Sequence, residues 1–281
     1  MTVELVPAST VDFHQFTATL NRAYADYFIP LNMTPDELRV RVLQDDIKLG
    51  LSCAATHQAG LVGVAMLAQR GVTGWIGGVG VVPRWRGSGI GRRIMVYVID
   101  RAREAGIAHV QLEVITANRR AHALYDSLGF EPSRLLHVAE GIPNTRLVPR
   151  GYSYQRMEVA NALPYQNEFH TTELPWQRSQ KAVRAMASQL EAFGAYRDGE
   201  LLAYTIGVFR MGVIRYVDLA HSQQHGEGHE ALRGLVLYLH SRFPAVQGGI
   251  INIPEKDPAW SVLSVLGYTP HLSQMEMTLA L

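Results

Sequence analysis

The pattern of apolar and polar positions predicts a strand, a turn and a helix in direct succession between residues 73 and 106. The segment TGWIGGVGVVP, residues 73–83, is rich in valine, isoleucine and glycine and ends in proline, as a buried strand does. After a short basic stretch, apolar side chains recur at helical spacing, and a glycine follows where the helix would end. These positions are Ile90, Ile94, Val98, Ala102, Ala105 and Gly106.

The pattern repeats directly afterwards, within HVQLEVITANRRAHALYDSLGF, residues 109–130. VQLEV has the composition of a strand, and Asn118 is a residue type that caps helices. The apolar positions that follow are spaced as on one helix face, and Gly129 ends the helix. Each of the two segments is therefore predicted to be a strand followed by a helix.

The turn after the first strand carries candidate chemistry. RWRGSGIGRR, residues 84–93, contains four arginines and three glycines. Glycines allow close approach of the backbone, and the free N–H groups of a first helical turn attract anions. The order strand, turn, helix therefore predicts a site for a phosphate or pyrophosphate. The stretch lacks the Lys-Ser/Thr of a nucleotide P-loop and the third glycine of a Rossmann fingerprint, so a solvated surface turn is the alternative.

Composition and charge mainly exclude other classes of protein and partner. The chain has 281 residues, 47% hydrophobic and 18% charged, which suits two folded domains rather than a disordered segment. A net charge of +1 argues against nucleic-acid or membrane-surface partners. The one cysteine, Cys53, lies in an apparent strand and is expected to be buried and inert. The chain shows no signal-peptide pattern and no apolar run near the ~20 residues of a membrane span, so we expect a cytoplasmic protein.

Two motifs resemble the GNAT superfamily of acyl-CoA N-acyltransferases, over roughly residues 2–140. They are V-V-P-x-W-R-G-x-G-I-G and L-E-V-x-x-x-N-x-x-A-x-x-L-Y-x-x-L-G-F, in the family's order and at a typical distance. The region also resembles ribosomal-protein alanine N-acetyltransferases. The resemblance implies an α/β (α+β) fold with a mixed, mostly antiparallel sheet flanked by helices. It also implies acetyl-CoA as co-substrate, without a metal.

The resemblance implies that the basic turn binds the pyrophosphate of acetyl-CoA. Backbone N–H groups from Gly87 to Gly91 would hold it, and arginines of the stretch would add charge. The pantetheine arm would pair with backbone groups near Val81 and Val82, in a gap between two splayed strands. The predicted cofactor-binding residues are Val81, Val82, Arg86, Gly87, Ser88, Gly89, Ile90, Gly91, Arg92 and Asn118.

Two residues are candidates for catalysis. Tyr125 matches the family's tyrosine that protonates the coenzyme A sulfur, and its alternative is an ordinary core aromatic. Glu113 stands in an apolar strand, where burial would raise its pKa and make it a better base near neutral pH. The ribosomal-protein enzymes have a glutamate base at this spacing; a purely structural glutamate is the alternative. By the same resemblance, an N–H near Val81 would stabilise the developing oxyanion.

The acceptor pocket is less clearly indicated. Tyr24, Tyr27 and Phe28 could line it, with Asp26 attracting a cation, or the aromatics could belong to the core. Trp75 and the glycine pair at 77–78 suggest room for an acceptor side chain.

An internal repeat accounts for the rest of the chain. LGFEP at residues 128–132 recurs as LGYTP 138 positions later, and the glycine spacing of the basic turn recurs as Gln223-x-x-Gly226-x-Gly228. Such offsets indicate a duplicated domain. We expect two tandem GNAT folds, a catalytic domain at residues 1–145 and a degenerate one at residues 150–281, with the linker in the proline- and glycine-rich residues 140–153.

The second copy departs from the motif residues. Aligning the repeats places Leu263 at the position of Tyr125 and Lys256 at that of Asn118, and leaves no carboxylate at that of Glu113. Histidines at positions 221, 225 and 229 have the spacing of metal ligands on a helix, but the glycines at 226 and 228 would break that helix. We therefore expect no metal.

The sequence thus predicts an acetyl-CoA-dependent N-acetyltransferase that transfers acetyl directly to a primary amine in a ternary complex. The acceptor would be a small molecule or a protein N-terminus. Nucleic acid and membrane are not expected as partners, and a homodimer is left open. The alternative is a non-catalytic sensor or scaffold that binds acyl-CoA, but the motif residues Glu113, Asn118 and Tyr125 favour the enzyme.

Overall fold

The computed structural model describes residues 2–224, 226–244 and 247–281. The strands are β1 Glu4–Pro7, β2 Cys53–His57, β3 Gly60–Arg70, β4 Thr73–Val81, β5 His109–Ile115, β6 Glu131–Gly141, β7 Ser153–Met157, β8 Glu191–Arg197, β9 Glu200–Arg210, β10 Val213–His221, β11 Gly248–Pro254 and β12 Thr269–Ala280. The helices are α1 Phe13–Tyr24, α2 Pro35–Gln44, α3 Ile90–Glu104, α4 Arg119–Asp126, α5 Val159–Phe169, α6 Gln180–Met186, α7 Gly228–Arg242 and α8 Pro258–Val265.

The chain forms two compact units with limits other than the predicted domain boundaries. The first unit comprises Met1–Ser133 and Met275–Leu281, and the second comprises Arg134–Gln274. The predicted linker at residues 140–153 is not the division, because β6 continues through residue 133 to Gly141. The end of β12 belongs to the first unit, where the Leu281 N–H donates to the Ala108 carbonyl at 2.9 Å. Which unit is catalytic stays a prediction at this point.

The sheet of the first unit has the order β1-β2-β3-β4-β5-β12. Its pairs are antiparallel from β1 to β4, and β5 runs parallel to β4. The predicted strands and helices around the basic turn and around Asn118 are confirmed. Cys53 is fully buried, and burial raises the pKa of its thiol to about 12, which fits an inert core residue.

The sheet of the second unit has the order β12-β6-β11-β10-β9-β8-β7. Its elements repeat those of the first unit in the same order along the chain, so that β9, β10, α7, β11 and α8 correspond to β3, β4, α3, β5 and α4. The fold class is confirmed as mixed α/β with mostly antiparallel sheets flanked by helices. Among the described residues, no helix combines the length and the apolar character needed to cross a membrane.

Strands β4 and β5 separate soon after they begin. They pair only from Thr73–His109 to Trp75–Gln111, although β4 continues to Val81. A bulge at Gly77 interrupts the pairing of β4 with β3 and bends the strand. The splayed strands that the resemblance implied are therefore present, and they open a gap at the carboxyl end of β4.

Candidate active site

A groove of about 450 Å³ lies at this gap in the first unit. It is bordered by the end of α1, the end of β4, the basic turn and the start of α4. The predicted site residues that line it are Val81, Arg86, Gly87, Gly89, Gly91, Arg92, Asn118 and Tyr125. All four of the aromatic and acidic residues suggested for the acceptor pocket line it as well: Tyr24, Asp26, Tyr27 and Phe28.

The basic turn has the backbone geometry of an anion site. Gly87 and Gly89 have φ of +82° and +80°, which favour glycine. Helix α3 begins directly after Gly89, and its first internal bond runs from the Arg93 N–H to the Gly89 carbonyl. The N–H groups of Ile90, Gly91 and Arg92 therefore have no partner within the helix, and no side chain caps them. A Cβ on Gly89 would meet no atom within 4 Å, so the turn is open.

Ser88 and Ile90 take part in this turn through their backbone rather than their side chains. The Ser88 hydroxyl donates to the Trp85 carbonyl at 2.6 Å, and the Ile90 side chain is buried in the core. Both residues were predicted for the site, and their side chains stabilise the turn from outside the groove.

Arg86 differs from the prediction because its guanidinium is already engaged. Nη1 and Nη2 donate to the Asp26 carboxylate at 2.8 and 2.7 Å, Nη2 also donates to the Ala23 carbonyl, and Nε donates to the Val81 carbonyl. Asp26 is thus the partner of Arg86 rather than an attractor of an acceptor cation. The pair fixes the turn to the end of α1 and to the edge of β4.

The charge offered to a phosphate comes from other arginines as well. Arg92 lines the groove while its Nη1 donates to the Ser127 hydroxyl, and Arg93 points away and donates to the Val3 carbonyl. Arg120, on the first turn of α4, is exposed in the groove and lies 3.7 Å from the Cβ position of Gly87. Arg120 was not among the predicted site residues, because an arginine five positions before Tyr125 gave no indication by itself.

The open edge of β4 offers backbone groups to a ligand. The Val82 N–H donates to the Val62 carbonyl, so in this antiparallel pair the N–H and C=O of Val79 and Val81 point away from β3, toward the gap. The Tyr24 hydroxyl occupies both backbone groups of Val79, which leaves the Val81 N–H facing the gap. Both backbone groups of Val82, which was also predicted to contact the cofactor, are already engaged: its N–H donates to Val62 on β3 and its C=O accepts from the Trp85 N–H.

Tyr125 lies on α4 with its ring packed 5.9 Å from that of Phe130 and its side chain in the groove. Only 9% of the residue is exposed, and burial raises the pKa of its hydroxyl far above the ordinary value. The hydroxyl therefore stays protonated near neutral pH and can serve as a proton donor. No hydrogen bond to another residue of the described chain holds this hydroxyl in place.

Asn118 caps α4 and orients an aromatic side chain. Its Oδ1 accepts from the Ala121 N–H at 3.1 Å, which confirms the predicted cap. Its Nδ2 donates to the Tyr27 hydroxyl at 3.3 Å. Edge-to-face ring contacts run from Tyr24 to Tyr27 and from Tyr27 to Phe28. These aromatic side chains form one wall of the groove, and Phe28 is 54% exposed.

Glu113 lies on β5, beyond the groove's lining. Its Oε2 accepts from the Trp75 indole N–H at 2.8 Å, while its Oε1 is buried and has no hydrogen-bond partner among the described residues. Burial raises the pKa of Glu113 to about 7, against the opposing effect of the Trp75 bond. A carboxyl with this pKa can both accept and release a proton near neutral pH.

Gly77 makes room for Trp75 rather than for an acceptor. A Cβ on Gly77 would lie 2.3 Å from the Trp75 ring, which folds over the strand and is 1% exposed. The predicted space at this glycine is therefore filled by a side chain of the protein. The arrangement aims the indole N–H at Glu113.

The corresponding turn of the second unit does not suit an anion. Glu227 stands directly before α7 and pairs with Arg197 at 2.5 Å, and Glu230 lies in the first helical turn. Carboxylates here would repel a phosphate. The capping residue of α8 is Asp257 rather than the aligned Lys256, and the buried Leu263 takes the place of Tyr125.

A buried ionic cluster stands where the second unit would have its groove. Asp218, on β10 just after a bulge like that of β4, accepts from Arg178 at 2.8 Å and lies 3.2 Å from His170. His170 also lies 3.6 Å from Asp257, and the Tyr204 hydroxyl donates to Asp218 at 2.6 Å. Burial alone would lower the pKa of His170, but the two carboxylates outweigh it and raise the pKa to about 9.

The cluster makes the second unit sensitive to alkaline pH. Because the pKa of His170 rises from 6.5 in the unfolded chain to about 9 in the fold, its charge stabilises the fold fully below about pH 6.5 and the contribution is lost as the pH rises through 9. We expect faster hydrogen exchange in α5 and β10 at pH 9 than at pH 7, after correction for intrinsic rates. The His170→Gln variant should lack this difference; an equal difference in the variant would contradict the assignment.

The histidines considered for a metal do not form a site in the described part of the chain. His221 and His229 have ring centroids 5.9 Å apart, and His221 Nδ1 contacts the Ser222 carbonyl and Gln223. The described residues contain no group of three or more histidine, cysteine or acidic side chains placed to hold a metal ion. His225 lies outside the described residues.

Comparison with known sequences finds a family match and partial relatives for the first unit. The model of the acetyltransferase (GNAT) family matches residues 17–130. A mycothiol acetyltransferase of Beutenbergia cavernae is 34% identical over 133 residues, which are 46% of this chain and 44% of that protein. The [ribosomal protein bS18]-alanine N-acetyltransferase of Escherichia coli is 37% identical over 57 residues, 20% of this chain and 38% of that protein. The chain thus spans less than half the length of these relatives.

Solved structures resemble the whole chain. A tandem GNAT protein from the clavulanic acid biosynthesis pathway covers 99% of this chain and 98% of its own, with a TM-score of 0.69 and 18% identity. A GCN5-related N-acetyltransferase from Sphaerobacter thermophilus covers 99% and 95%, with a TM-score of 0.74 and 13% identity. At these identities the likeness establishes the fold. The model of the GNAT acetyltransferase family thus matches residues 17–130 of a chain that has the tandem GNAT fold.

Proposed function

We propose that the first unit is an acetyl-CoA-dependent N-acetyltransferase and that the second unit has no catalytic role. The observation that carries the proposal is the groove of the first unit, in which the open basic turn, the Val81 N–H and Tyr125 meet. The family match over residues 17–130 supports the same activity. The cytoplasmic location stays a prediction.

The residues present fit the co-substrate. The N–H groups at the start of α3 and the exposed Arg120 suit a diphosphate, because unsatisfied N–H groups and a guanidinium both bind phosphate oxygens. The Val81 N–H, facing the gap, suits an acyl carbonyl oxygen. When bound there, acetyl-CoA supplies an activated acetyl thioester.

Glu113 prepares the acceptor. An ammonium cannot attack a carbonyl, so one proton must leave the acceptor before its nitrogen forms the new bond to the acetyl carbon. With a pKa of about 7, the Glu113 carboxylate can take that proton directly or through a water molecule. Trp75 orients the carboxylate through Oε2 and leaves Oε1 for the proton.

Tyr125 completes the proton balance. As the bond between the acetyl carbon and sulfur breaks, the electron pair goes to sulfur and the Tyr125 hydroxyl donates its proton there. The Val81 N–H stabilises the negative charge that develops on the carbonyl oxygen. The nitrogen loses a second proton as it becomes an amide, and this proton restores the Tyr125 hydroxyl, directly or through water. The products are the acetylated amine and a free thiol, and the proton on Glu113 passes to solvent.

The acceptor proposed is a primary amine of a small molecule or of a protein N-terminus. One relative is named for mycothiol and another for the alanine of a ribosomal protein. The groove wall of Tyr27 and the exposed Phe28 can contact the apolar part of either acceptor class. Thiol release from acetyl-CoA with a panel of amino sugars, cysteinyl amines and alanine-terminated peptides tests the proposal. Absence of amine-stimulated release from a chain that binds acetyl-CoA would favour the non-catalytic sensor or scaffold.

Glu113→Gln should change how the rate depends on pH. In the wild type, kcat/KM should rise through pH 7 as Glu113 ionises. The variant should be roughly 30-fold slower near pH 7 and recover at higher pH, where the amine has already lost its proton. The pH profile of thiol release checks this. A variant profile parallel to that of the wild type would assign Glu113 a structural role.

A further inference from the structure

The last strand of the chain places a second carboxylate beside Glu113. Strand β12 neighbours β5. Leu281, directly after β12, donates its N–H to the carbonyl of Ala108, directly before β5, so the two strands run antiparallel. Counting five residues from this bond along each strand places Glu276 directly opposite Glu113. Side chains opposite each other in an antiparallel pair lie on the same face, with Cβ atoms about 5 Å apart.

The burial pattern supports this register. Met277, Leu279 and Leu281 pack in the same core cluster as Val110 and Leu112, on one face of the sheet. Since side chains alternate along a strand, Glu113 and Glu276 both belong to the opposite face. Glu276 is 3% exposed, so two carboxylates are held together out of water in the first unit.

Two like charges placed directly opposite are unfavourable, and burial increases their repulsion. After burial itself and the Trp75 bond, which lowers it, the charge of Glu276 is the next influence on the pKa of Glu113, and it raises it. The remaining charged neighbours are on α2: Asp45 acts in the same direction as Glu276 and Arg41 against it. Arg41 is 3.4 Å from Asp45 and also donates to the Gly77 carbonyl at 2.9 Å.

We propose that Glu276 is a positioning residue for the amine transfer, because its carboxylate makes Glu113 hold and release a proton near neutral pH. The inference rests on the proposed function and extends it. It assigns a role to the C-terminal strand, which completes the sheet of the first unit.

The test uses the full chain with Glu276→Gln, which removes the charge and keeps the shape. The acidic limb of kcat/KM should move to lower pH by about one unit. The carboxyl carbon of Glu113, followed by NMR with ¹³C-labelled glutamate, should titrate lower by the same amount. Trp75→Phe removes the hydrogen bond to Oε2 and should move both readouts to higher pH. Glu131→Gln removes an exposed carboxylate of the same unit and should move neither.

The outcomes separate this inference from the proposed function. An acidic limb that disappears in Glu113→Gln but stays in place in Glu276→Gln overturns only the role of Glu276. A uniform loss of rate at every pH in Glu276→Gln, with the Glu113 titration unmoved, overturns it too. If Glu113→Gln keeps the wild-type pH profile, the assignment of Glu113 as the base is wrong, and the role of Glu276 fails with it.

Discussion

Gly89→Glu is expected to abolish acetyl-CoA binding, with affinity reduced by about 100-fold or more, while the fold persists. Gly89 has φ of +80° and stands where the N–H groups of α3 converge, so the variant places a carboxylate in the anion site. No atom lies within 4 Å of the new Cβ, and the left-handed backbone costs about 1–2 kcal/mol. Calorimetric titration with acetyl-CoA measures the loss.

The second unit supplies the matched control for this variant. Gly226 occupies the equivalent position of the repeated turn, and a Cβ there also meets no atom within 4 Å. Because Glu227 and Glu230 already make that turn unsuited to an anion, Gly226→Glu should leave affinity and a stoichiometry of one per chain unchanged. Unchanged binding in Gly89→Glu, or a second site lost in Gly226→Glu, would contradict the assignment of the groove.

Tyr125→Phe is expected to lower kcat by about 100-fold or more with little change in acetyl-CoA affinity. The substitution removes one hydroxyl and keeps the ring contact with Phe130. Since no described residue is hydrogen-bonded to this hydroxyl, the free energy of unfolding should hardly change. Steady-state thiol release, together with thermal unfolding, measures both effects.

If Tyr125 is the acid, the rate lost in Tyr125→Phe should depend on the thiol that leaves. An acetyl thioester of a more acidic thiol needs less help in leaving, so the variant should lose less rate with such a donor. Tyr97→Phe, on α3, removes a hydroxyl that lies outside the groove lining and should keep the wild-type rate. Wild-type turnover by Tyr125→Phe would mean that the thiolate leaves without this proton.

The elements around the basic turn could be predicted because local physics decides them. The glycines at 87 and 89, the cap at Asn118 and the apolar faces of α3 and α4 all act within a few residues of chain. The capping box of Thr34 and Glu37 at the start of α2 is a local arrangement of the same kind. The same reasoning correctly gave a duplicated α/β fold, since each repeat carries the same local pattern.

Side-chain partners that are distant in sequence could not be predicted in this way. Arg86 seemed available for a phosphate, but Asp26, sixty positions earlier, binds it. Trp75 and the space at Gly77 seemed to suit an acceptor, but the indole fills that space and bonds to Glu113. Such pairings depend on how α1, β4 and β5 pack, and the periodicity of each element contains no information about them.

The limits of the two units illustrate the same point at a larger scale. A linker rich in proline and glycine suggested a boundary at residues 140–153. The sheet instead gives the last residues of the chain to the first unit, where Glu276 lies opposite Glu113. Truncation near residue 150 would therefore remove a strand of the first unit, so the tests above use the full chain.

Transfer of an isotope-labelled acetyl group tests the central claim most directly. The full-length protein is mixed with labelled acetyl-CoA and the amine that stimulates thiol release, quenched within one turnover, and the products are identified by mass spectrometry. The account predicts labelled amine in equal amount to the released thiol, none in Gly89→Glu, and no acetylated protein. Thiol release without labelled amine, or label retained on the protein before it reaches the amine, would contradict direct transfer in the groove of the first unit.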